Sequence, residues 1–552
     1  MIVCDLYEDC SSHERNTVRT RHNSTAQIVS SLSAPQSNFY NRFGEISNLY
    51  FAILIIFFSF WRFIQIKVVP LHIESIGHIM DKYFIGREQE IKTLQNIMDS
   101  GKSEFVAVYG RRRVGKTYLI QQFFNNNFAF SATGIIEGTR EEELFAFSSA
   151  LIKIGYSGNR PRTWLDAFEA LKSSLDSCQY KGKRVIYIDE LPCFDTPKSG
   201  FVRALGHFWN TWASLRSDVV LIVCGSATSW MIENIINDHG GLHDRITHTI
   251  YLRQFSLAET EAYLKSRKIL WPRQTIVEAY MMLGGVPYYI SLLNPSESLA
   301  QNIDRIYFRK NSELGQEYRR LYSSLFKAPD PYIRIVEVLS KNKQGMTRNE
   351  IADSLKLSSS GTLSKHLENL EYCDIIRRYV TKVGGKPKTN EAYFQLVDLF
   401  TLFHLTFSKK LTTEDYWEQH LNTPVVNTWQ GLAFEHVCMV HINQIRHALG
   451  LDRIAVEYYS WRSSTPPHTQ VDMIIERADH LINLCEIKYT KAEYVITSDE
   501  DLKLRNRIAS FVQESKTRGG ILPTWITPFG LYQNEYSTSV QYQVQLNDLF
   551  IP

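Results

Sequence analysis

Eight residues, Gly110-Arg-Arg-Arg-Val-Gly-Lys-Thr117, carry the spacing GxxxxGK[ST] between an apolar run, EFVAVY, and a helix-forming run, YLIQQFF. Chemistry explains the choice of residues. Gly110 and Gly115 let backbone N–H groups curl around a polyphosphate, and the helix that follows favours negative charge at its start. Lys116 reaches the terminal phosphates, Thr117 offers a magnesium ligand, Arg111, Arg112 and Arg113 fill the loop with added positive charge, and Val114 completes it. A second apolar run, RVIYIDE, ends in two acids: Asp189 suits the same magnesium ion and Glu190 suits polarising an attacking water. Two acids on the end of an apolar strand are costly without a cation, although helix N-capping before Leu191 is the competing use. A third run, VVLIVCGSA, ends at Ser226, where a hydroxyl either senses the γ-phosphate or caps the next helix. Far downstream, Asp472 lies on one strand-like run (QVDMII), and Glu486 and Lys488 share one face of the next (NLCEIK). Glu435 sits on a helical run before them. Asp472 and Glu486, with the Ile487 carbonyl, suit a magnesium ion, and Lys488 suits a water or a pentavalent phosphate; a cross-strand Glu486–Lys488 ion pair is the structural alternative.

These groups need scaffolds to hold them. Apolar strands alternating with amphipathic stretches at 164–171 and 201–212 predict a parallel sheet covered by helices on both faces. Later, apolar spacings at Ile333/Val336/Leu339, Ile351/Leu355 and Leu363/Leu367/Leu370 predict three short helices. The second opens with a capping box, Thr347 to Glu350. Two strand-like runs, IIRRYV and EAYFQL, follow, joined by a Gly/Lys-rich tip. Three helices and a two-stranded wing predict a winged helix whose third helix, 360–372, holds the recognition position. On DNA, Lys365 and His366 would face the groove while Arg377, Arg378, Lys382, Lys386 and Lys388 contact phosphates; a packing role inside a larger protein is the alternative.

Composition narrows the classes. The 552 residues exceed one domain, and 61 Lys+Arg against 58 Asp+Glu leave a formal charge of +3. Nucleic-acid contact must therefore come from a local patch. Eight scattered cysteines without a CxxC pattern, and histidines without HExxH, point away from zinc and towards reduced thiols in a cytoplasmic protein.

Together these motifs resemble archaeal and bacterial ATPases of the AAA+/STAND-like branch that carry a winged helix and a nuclease-like C-terminal domain. The resemblance rests on Phe84-Ile-Gly-Arg-Glu88, GRRRVGKT, YIDE, CGSA, HDRITHTIYLRQFS and Gly284-Gly-Val-Pro287. It implies ATP and Mg2+ as cofactors, with Gly86 and Arg87 beside adenine and ribose. Gly285 and Pro287 would lie in a helical lid. Arg245 would complete the site from the same or a neighbouring subunit, the latter implying a homo-oligomer. The C-terminal carboxylates resemble the PD-(D/E)xK restriction-endonuclease-like fold, with Val471 where proline often stands.

The expected fold class is α/β: a P-loop NTPase parallel sheet (80–255) with a helical lid (256–328), a winged helix (329–398), and a linker helix with a restriction-endonuclease-like α/β domain (399–552). Residues 1–79 form a poorly defined N-terminal extension. Its apolar run at 49–64 is short of the roughly 20 residues of a membrane span and interrupted by Arg62. Three readings of it stand: an extension upstream of a natural start near Met80, a membrane anchor, or an ordinary module. The expected function is Mg-dependent ATP hydrolysis coupled to DNA engagement by the winged helix and nuclease-like domain. The alternatives are an ATP-binding regulatory switch with an inactive nuclease-like domain, and an ATP-dependent endonuclease in defence.

Overall fold

Five parallel strands, β1 (Glu104–Tyr109), β2 (Phe130–Thr133), β3 (Arg184–Asp189), β4 (Val219–Gly225) and β5 (His248–Tyr251), form a sheet in the order β2-β3-β4-β1-β5. β1, β3 and β4 are buried almost throughout, as their unbroken apolar runs require of strands covered on both faces. One face packs on the helices Arg140–Lys153, Trp164–Ser177 and Phe201–Thr211, and the other on Glu88–Asp99 and Lys116–Phe123. The Thr139–Glu142 and Thr163–Asp166 capping boxes fix two of these helix starts. In register, Tyr109 lies beside Gly225, and Thr133 lies beside Asp189. The carboxyl ends of β1, β3 and β4 therefore converge on one edge of the sheet.

The computed structural model describes residues 84–551 apart from 179, 181, 239, 343, 358–360, 384–385, 412, 464 and 467, all within one unit that starts at Lys82. The 1–79 segment, with its apolar run, lies outside the described residues. Among the described residues no helix is long and apolar enough to cross a membrane.

After β5, short helices from Leu257 to Leu325 lead into Asp330–Ser340, Arg348–Leu355 and Gly361–Tyr372. A small antiparallel sheet of β6 (Met346–Thr347), β7 (Ile376–Val383) and β8 (Lys386–Leu396), ordered β6-β8-β7, follows that trio. The helices Leu399–Phe407 and Pro424–Val440 then connect to a mixed sheet of β9 (Val456–Arg462), β10 (Gln470–Arg477), β11 (Leu481–Ile487), β12 (Gly520–Ile526) and β13 (Tyr542–Val544). Here β9, β10 and β11 pair antiparallel, whereas β11, β12 and β13 pair parallel. A single apolar core runs from Phe255 through Leu339, Leu370, Phe403 and Phe434 to Phe550. The helices from Leu257 to Leu325, the β6-β8-β7 sheet and its helices, and the C-terminal mixed sheet thus share buried side chains.

Candidate functional site: a phosphate loop with a carboxylate pair, and a second carboxylate cluster

The loop after β1 turns because of its glycines. Gly110 holds φ +142°, and a Cβ there would stand 2.3 Å from the Leu252 carbonyl oxygen. Gly115 holds φ +95° and starts the helix Lys116–Phe123. Lys116 Nζ turns inward, donating to the Gly110 and Arg111 carbonyls at 2.8 and 2.9 Å and to Ser226 Oγ at 3.4 Å. Thr117 Oγ1 donates to Asp189 Oδ2 at 2.8 Å. At the end of β3 the backbone of Glu190 enters the left-handed region, φ 46°, which directs its carboxylate to Ser226. That carboxylate accepts from Ser226 Oγ at 2.6 Å and from Ser226 N at 3.2 Å. Lys116, Thr117, Asp189, Glu190 and Ser226 come from three segments of sequence and meet at one sheet edge. Burial and the nearby Asp189 raise the Cys224 thiol well above its ordinary range, so the neighbouring sulfur stays neutral.

The three loop arginines do more than fill space. Arg111 is buried and ion-paired with Asp398, the residue that caps the helix Leu399–Phe407. Burial pulls the Arg111 guanidinium down, but the Asp398 charge outweighs it and the net shift is upward. Arg113, at φ 70°, pairs with buried Glu317 at 3.1 Å and lies 4.0 Å from the Tyr288 ring centroid. Tyr288 N also donates to the Arg113 carbonyl at 3.4 Å, which brings the helix beginning at Pro287 against the loop. Arg112 and Val114 complete the turn, half-buried and buried respectively.

Gly86 and Arg87 reach the loop at Val114 and not at the Lys116–Ser226 cluster. Arg87 donates to the Val114 and Arg253 carbonyls at 3.2 and 2.8 Å and packs 4.8 Å from the Phe255 ring centroid. A Cβ on Gly86 would stand 2.3 Å from Glu259 Oε1. Both residues line a cavity of about 870 Å³ that Arg253 also borders.

The structure does not bring Arg245 to this edge. It is exposed in the turn before β5, at the amino end of the sheet, where Thr247 N bonds to Phe105 O. The strand length from Phe105 to Tyr109 puts it about 13 Å from the loop, at roughly 3.3 Å per residue. Arg245 therefore does not complete the site within its own chain. Arg253, after the carboxyl end of β5, is a further arginine that the fold places on the loop's side with Arg87, and the strand direction is what could have signalled it.

The C-terminal cluster forms where β10 and β11 pair. Asp472 Oδ2 accepts from Ile487 N at 3.0 Å, and Lys488 Nζ lies 3.7 Å from Asp472 Oδ2 and 3.5 Å from Glu486 Oε2. Glu486 is fully buried, and burial, with Asp472 beside it, raises its carboxyl above the ordinary range. Arg507, from the helix Ser498–Ser515, donates to Glu486 Oε2 at 2.7 Å, a partner that the sequence reading missed. Glu435, Asp472 and Lys488 line one cavity of about 730 Å³ with Arg507.

Three of the residues expected to contact nucleic acid have partners within the chain. Lys365 pairs with Glu233 at 3.3 Å, and the His366 ring packs at a tilt 4.6 Å from the Tyr332 ring centroid. Arg377 donates to Gln395 and to Ser460 of β9 at 2.8 and 2.6 Å, so it ties β7 to the C-terminal sheet. Burial lowers the Arg377 guanidinium below its ordinary range. Arg378 is exposed. The side chains of Lys382, Lys386 and Lys388 lie outside the described residues.

Residues 84–293, which hold the whole loop cluster, match a family described as an ATPase domain predominantly from Archaea. This segment is a P-loop ATPase domain. An uncharacterized protein of Methanocaldococcus jannaschii is 26% identical over 330 residues, covering 59% of this chain and 68% of that protein. An uncharacterized ATP-binding protein of the same organism is 42% identical over 43 residues, 8% of this chain and 73% of that protein. Among solved structures, the Walker-type ATPase of Pyrococcus abyssi is 18% identical at a TM-score of 0.43, covering 58% of this chain and 96% of that chain. The ORC2 protein of Aeropyrum pernix, solved in ADPNP–ADP complexes, is 14% identical at 0.39, covering 58% and 93%.

Proposed function

We propose that the ATPase domain hydrolyses ATP with Mg2+ and couples its nucleotide state to a DNA-engaging C-terminal half with a nuclease-like centre. The observation that carries the reading is the meeting of Lys116, Thr117, Asp189, Glu190 and Ser226 at the carboxyl edge of one parallel sheet, with Thr117 Oγ1 2.8 Å from Asp189 Oδ2. Two adjacent hard oxygen donors suit magnesium, so Thr117 and Asp189 would hold it. Bound there, the ion would neutralise charge on the β- and γ-phosphates. Lys116 exchanges its two carbonyl partners for phosphate oxygens. Glu190 releases Ser226 and orients the attacking water, accepting its proton, while Ser226 turns to the γ-phosphate. Gly86 and Arg87 flank the nucleoside, and Pro287 and Tyr288 carry the lid's response to the loop. The lid, wing and C-terminal sheet share one core, which supports coupling among them.

In the second centre, Glu486 Oε1 is buried without a hydrogen-bond partner among the described residues. Such an orphaned oxygen beside Asp472 fits a divalent cation, with Glu435 on the same cavity wall. The ion would supply Lewis-acid activation of a phosphodiester. Lys488 orients the attacking water. Arg245 is retained only as a contribution to a neighbouring subunit of a homo-oligomer. The test incubates the full chain with ATP, Mg2+ and labelled duplex DNA, reading phosphate release and strand breaks together. Lys116→Ala and Glu190→Gln are expected to abolish phosphate release, and Asp472→Ala to abolish strand breaks alone. Phosphate release that survives both ATPase-site substitutions refutes the first centre, and breaks that survive Asp472→Ala refute the second.

A further inference from the structure

The helix Ser498–Ser515 brings Lys503, Asn506 and Arg507 to the wall of the cavity that Glu435, Asp472 and Lys488 line. Positions separated by three and four residues share one helix face, so this is a continuous basic and polar stripe. Lys503 and Asn506 are exposed, whereas Arg507 is half-buried because its guanidinium reaches down to Glu486 Oε2 at 2.7 Å. Arg507 and Lys488 thus place two cations on one oxygen of Glu486 while Oε1, equally buried, keeps no partner. Balanced in this way, the Asp472–Glu486 pair is held by protein cations. A divalent ion taken up by the same two carboxylates would stand close to the guanidinium and repel it. Freed, a planar guanidinium presents paired donors that match a phosphate. Lys503 and Asn506 already face the cavity along which that phosphate would lie.

We propose that Arg507 is a cation-responsive phosphate contact. It neutralises Glu486 until a divalent ion replaces it, then turns with Lys503 and Asn506 to the backbone of bound DNA. The inference rests on the reading of Asp472 and Glu486 as a divalent-cation centre. It explains a second basic group beside Lys488 at a site where two carboxylates need only a metal.

The test uses the full chain and two readouts that need no turnover. The first is Mn2+ affinity by calorimetry or electron paramagnetic resonance. The second is duplex DNA affinity by fluorescence anisotropy in Ca2+ and in chelator. Arg507→Ala is expected to raise Mn2+ affinity about tenfold, corresponding to about 1.4 kcal/mol, and to abolish the strengthening of DNA binding by Ca2+ seen in the parent. Arg507→Lys, which keeps the charge but loses the fork, restores Mn2+ affinity towards the parent but only part of the Ca2+ response. Lys503→Ala, at an exposed position that leaves folding intact, lowers DNA affinity in Ca2+ and leaves Mn2+ affinity alone. If Asp472→Ala abolishes Mn2+ binding while Arg507→Ala changes neither Mn2+ affinity nor the Ca2+ response, the inference is overturned and the cation centre stands. If the parent binds no Mn2+, or Asp472→Ala binds it equally well, the cation centre itself is wrong and the inference falls with it.

Discussion

Asp398→Asn tests how the phosphate loop is tied to the rest of the chain. Asp398 uses its two oxygens separately: Oδ2 pairs with Arg111, while Oδ1 accepts from Thr401 N at 2.8 Å to cap the helix Leu399–Phe407. The two side chains are only 3% and 1% exposed, so solvent screens the pair little. Asparagine keeps the cap and removes only the charge, which leaves the Arg111 guanidinium buried and uncompensated. Loss of one partner from such a pair costs about 3–5 kcal/mol. Asp398→Ala also loses the cap and should cost about 1 kcal/mol more. Replacing both partners, as in Arg111→Met/Asp398→Asn, removes the buried charge altogether and should recover most of the loss. Urea denaturation followed by tryptophan fluorescence measures the parent, Arg111→Met and these three variants, with far-UV dichroism as the check on intermediates in a chain of this size. Because the Arg111 carbonyl also accepts from Lys116 at 2.9 Å, Asp398→Asn should weaken ATP binding as well. If Asp398→Asn stays within about 0.5 kcal/mol of the parent, or the double variant is as unstable as the sum of the singles, the argument from a buried tie fails.

Three further outcomes follow from the geometry. Gly285 holds φ +67°, with a would-be Cβ 2.4 Å from the Phe255 carbonyl oxygen. Gly285→Ala should therefore cost more than the roughly 1–2 kcal/mol of left-handed backbone alone, and an unchanged unfolding midpoint would rule out that contact. Burial depresses His404 and His441 to about 4 and His436 to about 3, so each is neutral in the fold. Their unfolded forms bind protons from about pH 6.5 downward, so the stability they contribute is complete above that pH and is lost as pH falls towards 4. His404→Gln should flatten the fall by up to about 1.4 kcal/mol per pH unit in denaturation at pH 7.5, 6 and 5, and an identical slope would contradict the sign. Arg377→Ala should destabilise the packing of β7 against β9 by about 1–3 kcal/mol while leaving unchanged the salt slope of the proposed DNA binding, whereas exposed Arg378→Ala should reduce that slope; the reverse pattern would make Arg377 the DNA contact.

The parts of the fold that alternate cleanly between apolar strand and amphipathic helix were legible in the residues. β1, β3, β4, β10 and β11 fall where the apolar runs predict them, and the Thr347–Glu350 capping box starts its helix as expected. β2 was not legible, because FSAT is four residues at a sheet edge with only two buried positions. The phosphate-loop cluster was readable because its chemistry is encoded in local order. Asp398, Glu317 and Arg507 were invisible for the opposite reason: each acts through a partner far away in the chain, and a lone charge carries no mark of the pocket it enters. Arg245 and Arg377 show the same limit. A basic residue beside a strand reads alike whether the strand end faces the loop, the opposite edge or another sheet.

Calorimetric titration of Mg-ATP into the full chain, alongside Lys116→Ala, measures the central claim directly. Saturable binding in the parent that disappears in Lys116→Ala is the expected result. Folded parent protein that takes up no ATP, or a Lys116→Ala variant that binds it equally well, would contradict the phosphate-loop account.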